Sequence, residues 1–169
     1  MSDLSWRSRR WRPALGLAAL LVASACGDGG GTGSDSASGA ATCTPVGTEL
    51  AARADQNVDV VLQEFSFGPA TLETRAGLVT FVARNAGTEN HELAFLPGGG
   101  DVPMKAGRKP DEGALERAGA FELEAFGPGH SCNATYELKP GRYTLFCLVT
   151  DADGITHYGK GMRGQLVVQ

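Results

Sequence analysis

Histidine, methionine and cysteine are scarce in this sequence, at three, three and four residues in 169. No stretch is rich in methionine or histidine, so no segment reads as a tract for relaying soft metal ions. Long apolar runs are missing as well. The most apolar stretch, Ala14–Ala23 (ALGLAALLVA), is far shorter than the roughly 20 residues a membrane-spanning helix requires. Positive charge is thin beyond the N-terminus. Residues 1–25 hold four of the 15 basic residues and one of the 19 acidic ones, which leaves 11 against 18, a net charge of −7. An acidic chain of this kind argues against a nucleic-acid partner. It suits a protein partner that is basic or neutral at its docking face, and it also serves plain solubility.

The N-terminus has the order of an export signal. Arg7, Arg9, Arg10 and Arg12 precede the apolar run, and small residues follow it. Ala23-Ser24-Ala25-Cys26 resembles a bacterial lipobox, which would make Cys26 the lipidated first residue of a mature, membrane-anchored, extracytoplasmic protein on the periplasmic or cell-surface side. The alternative is ordinary cleavage after Ala25 with Cys26 incidental. Ser8-Arg9-Arg10 hints at twin-arginine export but lacks the hydrophobic residues expected after the pair. Residues 27–41 (GDGGGTGSDSASGAA) have no apolar periodicity and read as a flexible tether. The expected organisation is a signal over 1–25, a lipid-anchored linker over 26–54 and one folded domain over 55–169.

From Asn57 onward, short β-like runs alternate with Gly/Pro turns. Val58, Val60 and Leu62, continuing to Phe65 and Phe67, predict one strand with an irregularity near Glu64. Further runs lie at Thr71–Thr74, Leu78–Arg84, His91–Leu96, Ala120–Phe126, Cys132–Leu138, Gly141–Cys147 and Gln165–Val168. Asp101–Arg117 interrupts them, and Pro110-Asp111-Glu112 suits the first turn of a short helix through Arg117. The expectation is an all-β Greek-key sandwich of seven or eight strands with a short helical insert.

The chemistry concentrates in Gly141–Met162 (GRYTLFCLVTDADGITHYGKGM). A strand delivers Cys147, a polar loop follows, and His157 and Met162 come after it. Thiolate, imidazole and thioether are soft to borderline ligands that suit copper better than magnesium or calcium. A second imidazole is needed, and His91, at the start of a strand, is the best candidate. Two imidazoles and a thiolate in a trigonal plane with a long axial Met suit both Cu(I) and Cu(II). Each residue taken alone has a duller reading: Cys147 as a small core residue, Met162 as a gap filler, His91 as a satisfied strand-end histidine. His130 has no partner in the pattern and reads as surface, and Met104 as a loop residue. With Cys26 carrying lipid and Cys147 carrying metal, Cys43 and Cys132 remain, and export favours a disulfide between them over two free thiols.

Three pieces of this sequence resemble the cupredoxin family, the plastocyanin- and azurin-like blue copper proteins. They are Asn90-His91-Glu92-Leu93, the run Pro140-Gly141-Arg142-Tyr143-Thr144-Leu145-Phe146-Cys147, and His157-x-x-x-x-Met162. The strand pattern from Val58 to Val168 is similar too. The resemblance implies one copper ion held by His91, Cys147, His157 and Met162, and electron transfer rather than catalysis. Two departures stand out. Nine residues (LVTDADGIT) separate Cys147 from His157, where the family usually has two to four, so a turn at Asp151–Gly154 would have to absorb the excess. The residue after the first histidine, often an asparagine tying the ligand loops, is here Glu92, either a different tie or a charge favouring Cu(II). A binuclear centre would need a cysteine at position 151, which is Asp.

The expected function is therefore that of an extracytoplasmic, lipid-anchored, monomeric carrier of single electrons between membrane-associated redox proteins, docking near His157 through Ile155 and Tyr158. The rival expectations are a copper carrier that delivers metal to a cuproenzyme and a metal-free interaction module. An enzyme with Cys147 as nucleophile beside His157 lacks an oxyanion hole and leaves Met162 unexplained.

Overall fold

The computed structural model describes residues 41–169; the signal-like segment, Cys26 and nearly all of the Gly/Ser-rich stretch lie outside the described residues. Among the described residues no helix is long and apolar enough to cross a membrane. The described residues form nine strands: β1 (Gln56–Gln63), β2 (Ser66–Gly68), β3 (Thr71–Thr74), β4 (Gly77–Asn85), β5 (His91–Pro97), β6 (Phe121–Phe126), β7 (Ser131–Leu138), β8 (Gly141–Phe146) and β9 (Arg163–Val168). Two short helices accompany them, α1 (Thr48–Ala51) and α2 (Glu112–Arg117).

The strands form two sheets, ordered β2-β1-β4-β7 and β3-β9-β8-β5-β6. The chain passes repeatedly from one sheet to the other, as a sandwich with crossed connections requires. Most pairs are antiparallel, but β1 runs parallel to β4 and β3 parallel to β9. Alternation builds the core. Val60 and Leu62 of β1 are buried while Asp59 and Gln63 face out. Phe81 of β4 meets Phe95 of β5 with ring centroids 4.7 Å apart, which joins the two sheets. Phe95 in turn stacks on Phe121 of β6 at 4.9 Å.

The run Val58–Phe67 is two strands, not one. Gln63 pairs with Ser66, so Glu64 and Phe65 form a tight corner and β2 returns antiparallel to β1. The alternation of Val58, Val60 and Leu62 resumes at Phe65 and Phe67 one residue out of phase, which periodicity reads as an irregularity in one strand rather than a reversal between two. The helix expected after Pro110 is present as α2, with Asp111 capping it by accepting a hydrogen bond from the Ala114 N–H at 3.1 Å.

Residues 41–54, expected as the end of the linker, instead pack on the body. Cys43 is joined to Cys132 of β7 by a disulfide with Cα atoms 5.4 Å apart. Val46 exchanges hydrogen bonds with β7, its N–H to Asn133 O at 3.1 Å and its carbonyl from Thr135 N at 2.9 Å. Gly47 crosses β7 so closely that a Cβ there would lie 2.2 Å from Thr135 O, and its φ of 64° lies in the left-handed region that favours glycine. Ordering this segment therefore depends on a partner strand that is distant in sequence.

Candidate metal centre

His91 opens β5, where the pairing with β6 shifts register between His91 and Leu93. Such an irregularity turns side chains that a regular ladder would alternate, and both His91 and Leu93 are fully buried. Cys147 lies one residue beyond β8, is also fully buried, and is the free cysteine among the described residues. After it the chain makes a hairpin. Thr150 bridges Thr156, Gly154 N donates to Asp151 O at 2.9 Å, and Gly154 takes a φ of 77°. The chain then returns past the strand it left: His157 N donates to Val149 O at 2.8 Å and Tyr158 N to Cys147 O at 2.7 Å. The turn at Asp151–Gly154 absorbs the long spacing.

Three donor atoms converge as a result. His91 Nδ1 is 3.0 Å from His157 Nδ1, and Cys147 Sγ is 3.4 Å from His157 Nδ1. All three donors lie within 4.8 Å of one another, on residues that are wholly buried. Metal–imidazole bonds of about 2.0 Å and metal–thiolate bonds of about 2.3 Å place the donors of a trigonal shell roughly 3.5–3.7 Å apart. The two spacings from His157 Nδ1, 3.0 and 3.4 Å, fall short of that by about 0.5 and about 0.3 Å. A single proton between the rings can satisfy two of these donors, whereas one soft cation satisfies all three, so the residues fit a metal.

Met162 is fully buried, and its N–H donates to His157 O at 2.9 Å. In the β8–β9 ladder Arg163 pairs with Phe146. Continuing that register by one residue sets Met162 opposite Cys147, in reach of the same pole.

Glu92 acts as a tie. The β5–β8 register, with Ala94 against Phe146, brings residue 92 opposite residue 148, and the Glu92 carboxylate accepts the Leu148 N–H. This locks the residue after Cys147 to the residue after His91. Burial pushes the Glu92 carboxyl up to about 7, against the pull of that N–H. Burial, with Glu92 nearby, also raises the Cys147 thiol well above its ordinary value.

Carboxylates stand behind both imidazoles, and the sequence reading names neither set. His91 Nε2 is 3.3 Å from Glu64 Oε1. His157 Nε2 is 2.7 Å from Asp151 Oδ1 and 3.1 Å from Glu89 Oε2. Burial opposes the charge of Glu64, but the N–H groups of Glu64 itself, Thr88 and Glu89, together with His91, hold its carboxyl down at about 2. Burial likewise works against Asp151, and Lys160, His157 and Glu89 outweigh it to lower its pKa. Glu89 is raised, first by the Asp151 carboxylate beside it. Burial and the charge of His157 depress His91, opposed by Glu64. Asn85, fully buried, holds the 86–90 loop by donating to Glu89 O and Phe126 O, both at 2.8 Å.

No protein-family model matches the sequence, and no curated protein is similar to it. Solved structures are. The chain is similar to auracyanin B, with 22% identity, a TM-score of 0.51, and coverage of 68% of this chain and 89% of that one. It is similar to the dithionite-reduced auracyanin of the photosynthetic bacterium Roseiflexus castenholzii, with 20% identity, a TM-score of 0.51, and coverage of 69% and 98%. The fold is that of the cupredoxins. In this cupredoxin sandwich the converging donors sit at one end, where β5 begins and β8 stops.

The surface over His157 differs from the apolar patch expected there. Ile155 is exposed, but Tyr158 is buried, its hydroxyl donating to Asp101 Oδ1 at 3.4 Å and accepting from Val102 N at 3.3 Å. His157 itself has no exposed surface. Asp151 and Glu89 meet its Nε2, Phe65 packs edge-on against its ring, and Lys160 beside them pairs with Asp151 and Asp153. The long loop supplies Asp151 and Asp153, while Glu89 comes from the loop before β5 and Lys160 from the chain just past His157. His130 is exposed, in line with the sequence reading, and plays no part in the cluster.

Proposed function

We propose that this protein is a type 1 copper protein that carries single electrons between membrane-associated partners outside the cytoplasm. The observation that carries the reading is the buried convergence of His91 Nδ1, His157 Nδ1 and Cys147 Sγ. The order and type of these donors, with Met162 opposite Cys147, match the set that serves both oxidation states of copper. His91 and His157 would supply the imidazoles, Cys147 the thiolate and Met162 the thioether. Copper, when bound, supplies the one-electron Cu(I)/Cu(II) couple.

The chain's own residues do the rest. Full burial keeps water from the donors. The Glu92 tie and the β5–β8 ladder fix His91 and Cys147 on one sheet, so the donors can change little in position as charge changes. Exposed Ile155, whose N–H donates to Asp153, offers a small apolar contact beside an acidic group, and Glu89 adds a second at the His157 ring, which suits a basic redox partner docking near His157. Export, with a lipid on Cys26 and the Gly/Ser-rich tether, would let the monomeric body reach partners in the membrane plane.

The test is optical. The protein without residues 1–25, loaded with Cu(II), should show an intense visible thiolate-to-copper band and a narrow copper hyperfine pattern in electron paramagnetic resonance. Cys147→Ala should lose both. A colourless Cu(II) complex of the unmutated protein overturns the reading.

A further inference from the structure

Two imidazoles face each other across the candidate centre through Nδ1, and each has a carboxylate behind its other nitrogen. Glu64 stands 3.3 Å from His91 Nε2, and Asp151, assisted by Glu89, stands 2.7 Å from His157 Nε2. These carboxylates come from unrelated places, one from the corner between β1 and β2 and the other from the hairpin after Cys147. Both are themselves held. Glu64 Oε1 accepts the N–H groups of Thr88 at 2.6 Å and Glu89 at 2.9 Å, while Asp151 pairs with Lys160.

Room has been made for the first contact. A Cβ on Gly87 would lie 2.5 Å from Glu64 Oε1 and 2.8 Å from His91 Nε2. Any side chain at position 87 would thus press into the space that the carboxylate and the ring share. Phe65, next to Glu64, meets the His157 ring edge-on at a centroid distance of 4.9 Å, so the same corner touches both imidazoles.

We propose that Glu64 and Asp151 are positioning residues that select the Nε2–H form of His91 and His157, leaving each Nδ1 to face Cys147 as a donor. A carboxylate can only accept at neutral pH, so the ring nitrogen facing it must carry a proton. The remaining nitrogen is then the one turned inward. Such a partner also makes the imidazole a stronger electron donor, which favours the more highly charged state of a bound metal. The metal part of this inference rests on the copper reading above; the choice of tautomer does not.

The experiment has two arms. In the first, nitrogen-15 NMR of the metal-free protein reads the protonation of each ring nitrogen. Both Nε2 atoms should carry slowly exchanging protons. Glu64→Ala and Gly87→Ala should each speed exchange at His91 Nε2, and Asp151→Ala combined with Glu89→Ala should do so at His157. Glu64→Gln keeps a carbonyl acceptor and should retain the His91 Nε2–H signal, a rescue that loss of packing alone would not give. A wild-type ring protonated only on Nδ1, or a His91 signal indifferent to both Glu64→Ala and Gly87→Ala, overturns the proposal whether or not copper binds. In the second arm, with copper added, Glu64→Ala should weaken affinity by about 10- to 100-fold, and Glu64→Gln should raise the reduction potential. An unchanged affinity and potential, with the visible band present, also overturns it. Absence of the band in every variant and in the wild type overturns the copper reading alone.

Discussion

The five-stranded sheet carries His91 at the start of β5, Cys147 at the end of β8 and Met162 just before β9, while the four-stranded sheet carries no candidate ligand. The second sheet contributes in other ways. It presents Phe81 to the core, holds the N-terminal segment through Cys43–Cys132, and ends β1 in the corner that sends Glu64 to His91. The five-stranded sheet also carries an electrostatic burden, with Glu92 and Glu122 half-buried near one another. The four-stranded sheet buries neutral polar groups, Thr80 and Thr135 bonded to each other and Asn85 bonded to Glu89 O and Phe126 O, whereas the five-stranded sheet and its loops take in the ionisable ones, His91, Cys147, His157, Glu92 and Glu122. Such groups are costly unless they are partnered.

That division can be broken from the supporting side. Phe81→Ala should lower the unfolding free energy by about 3–5 kcal/mol, while the folded, copper-loaded fraction keeps its visible spectrum. Denaturant titration followed by both tryptophan-independent circular dichroism and the visible band measures this, and a changed band in the folded protein would mean that the sheets are not separable. Replacing Cys43 and Cys132 together with serine should cost about 2–5 kcal/mol, because the unfolded chain regains the freedom of a long loop. The spectrum should again stay the same.

A smaller effect sharpens the comparison from the other side. Burial, with Glu92 and Glu124 nearby, raises the Glu122 carboxyl from 4.5 to about 8. The folded state therefore holds a proton that the unfolded state has released across that window. The contribution is fully present below pH 4.5 and is lost as pH rises through about 8. Glu122→Gln should flatten the decline in denaturation midpoint between pH 5 and pH 9, with Glu92 and Glu89, both raised, among the groups that set the remaining slope. A decline as steep as that of the unmutated protein would remove Glu122 from the account.

Some of the centre was legible residue by residue. His91, Cys147, His157 and Met162 have side chains with few alternative uses in such an order, and Gly154 in a polar run marks the turn that returns the chain. Glu92 could be singled out only by its position beside His91. Glu64, Asp151 and Glu89 carried no signal of their own, since an acidic residue in a loop is ordinarily just solvated. Their role depends on which ring nitrogen they meet, across 27 residues for the Glu64–His91 pair. The corner at Glu64 showed in the sequence only as an irregularity, because period-two alternation resumes beyond it at Phe65 and Phe67 and carries no sign of a change in strand direction.

The sequence alone determined the β-rich character, the donor types and the turn between them, because these follow from side-chain chemistry and from periodicity within a few residues. Only the tertiary structure decided that residues 41–54 belong to the body, that His157 lies under acidic cover, and which carboxylate backs which imidazole. Those outcomes depend on strand register and on contacts between segments far apart in the chain, where a shift of one residue would turn each side chain to the opposite face.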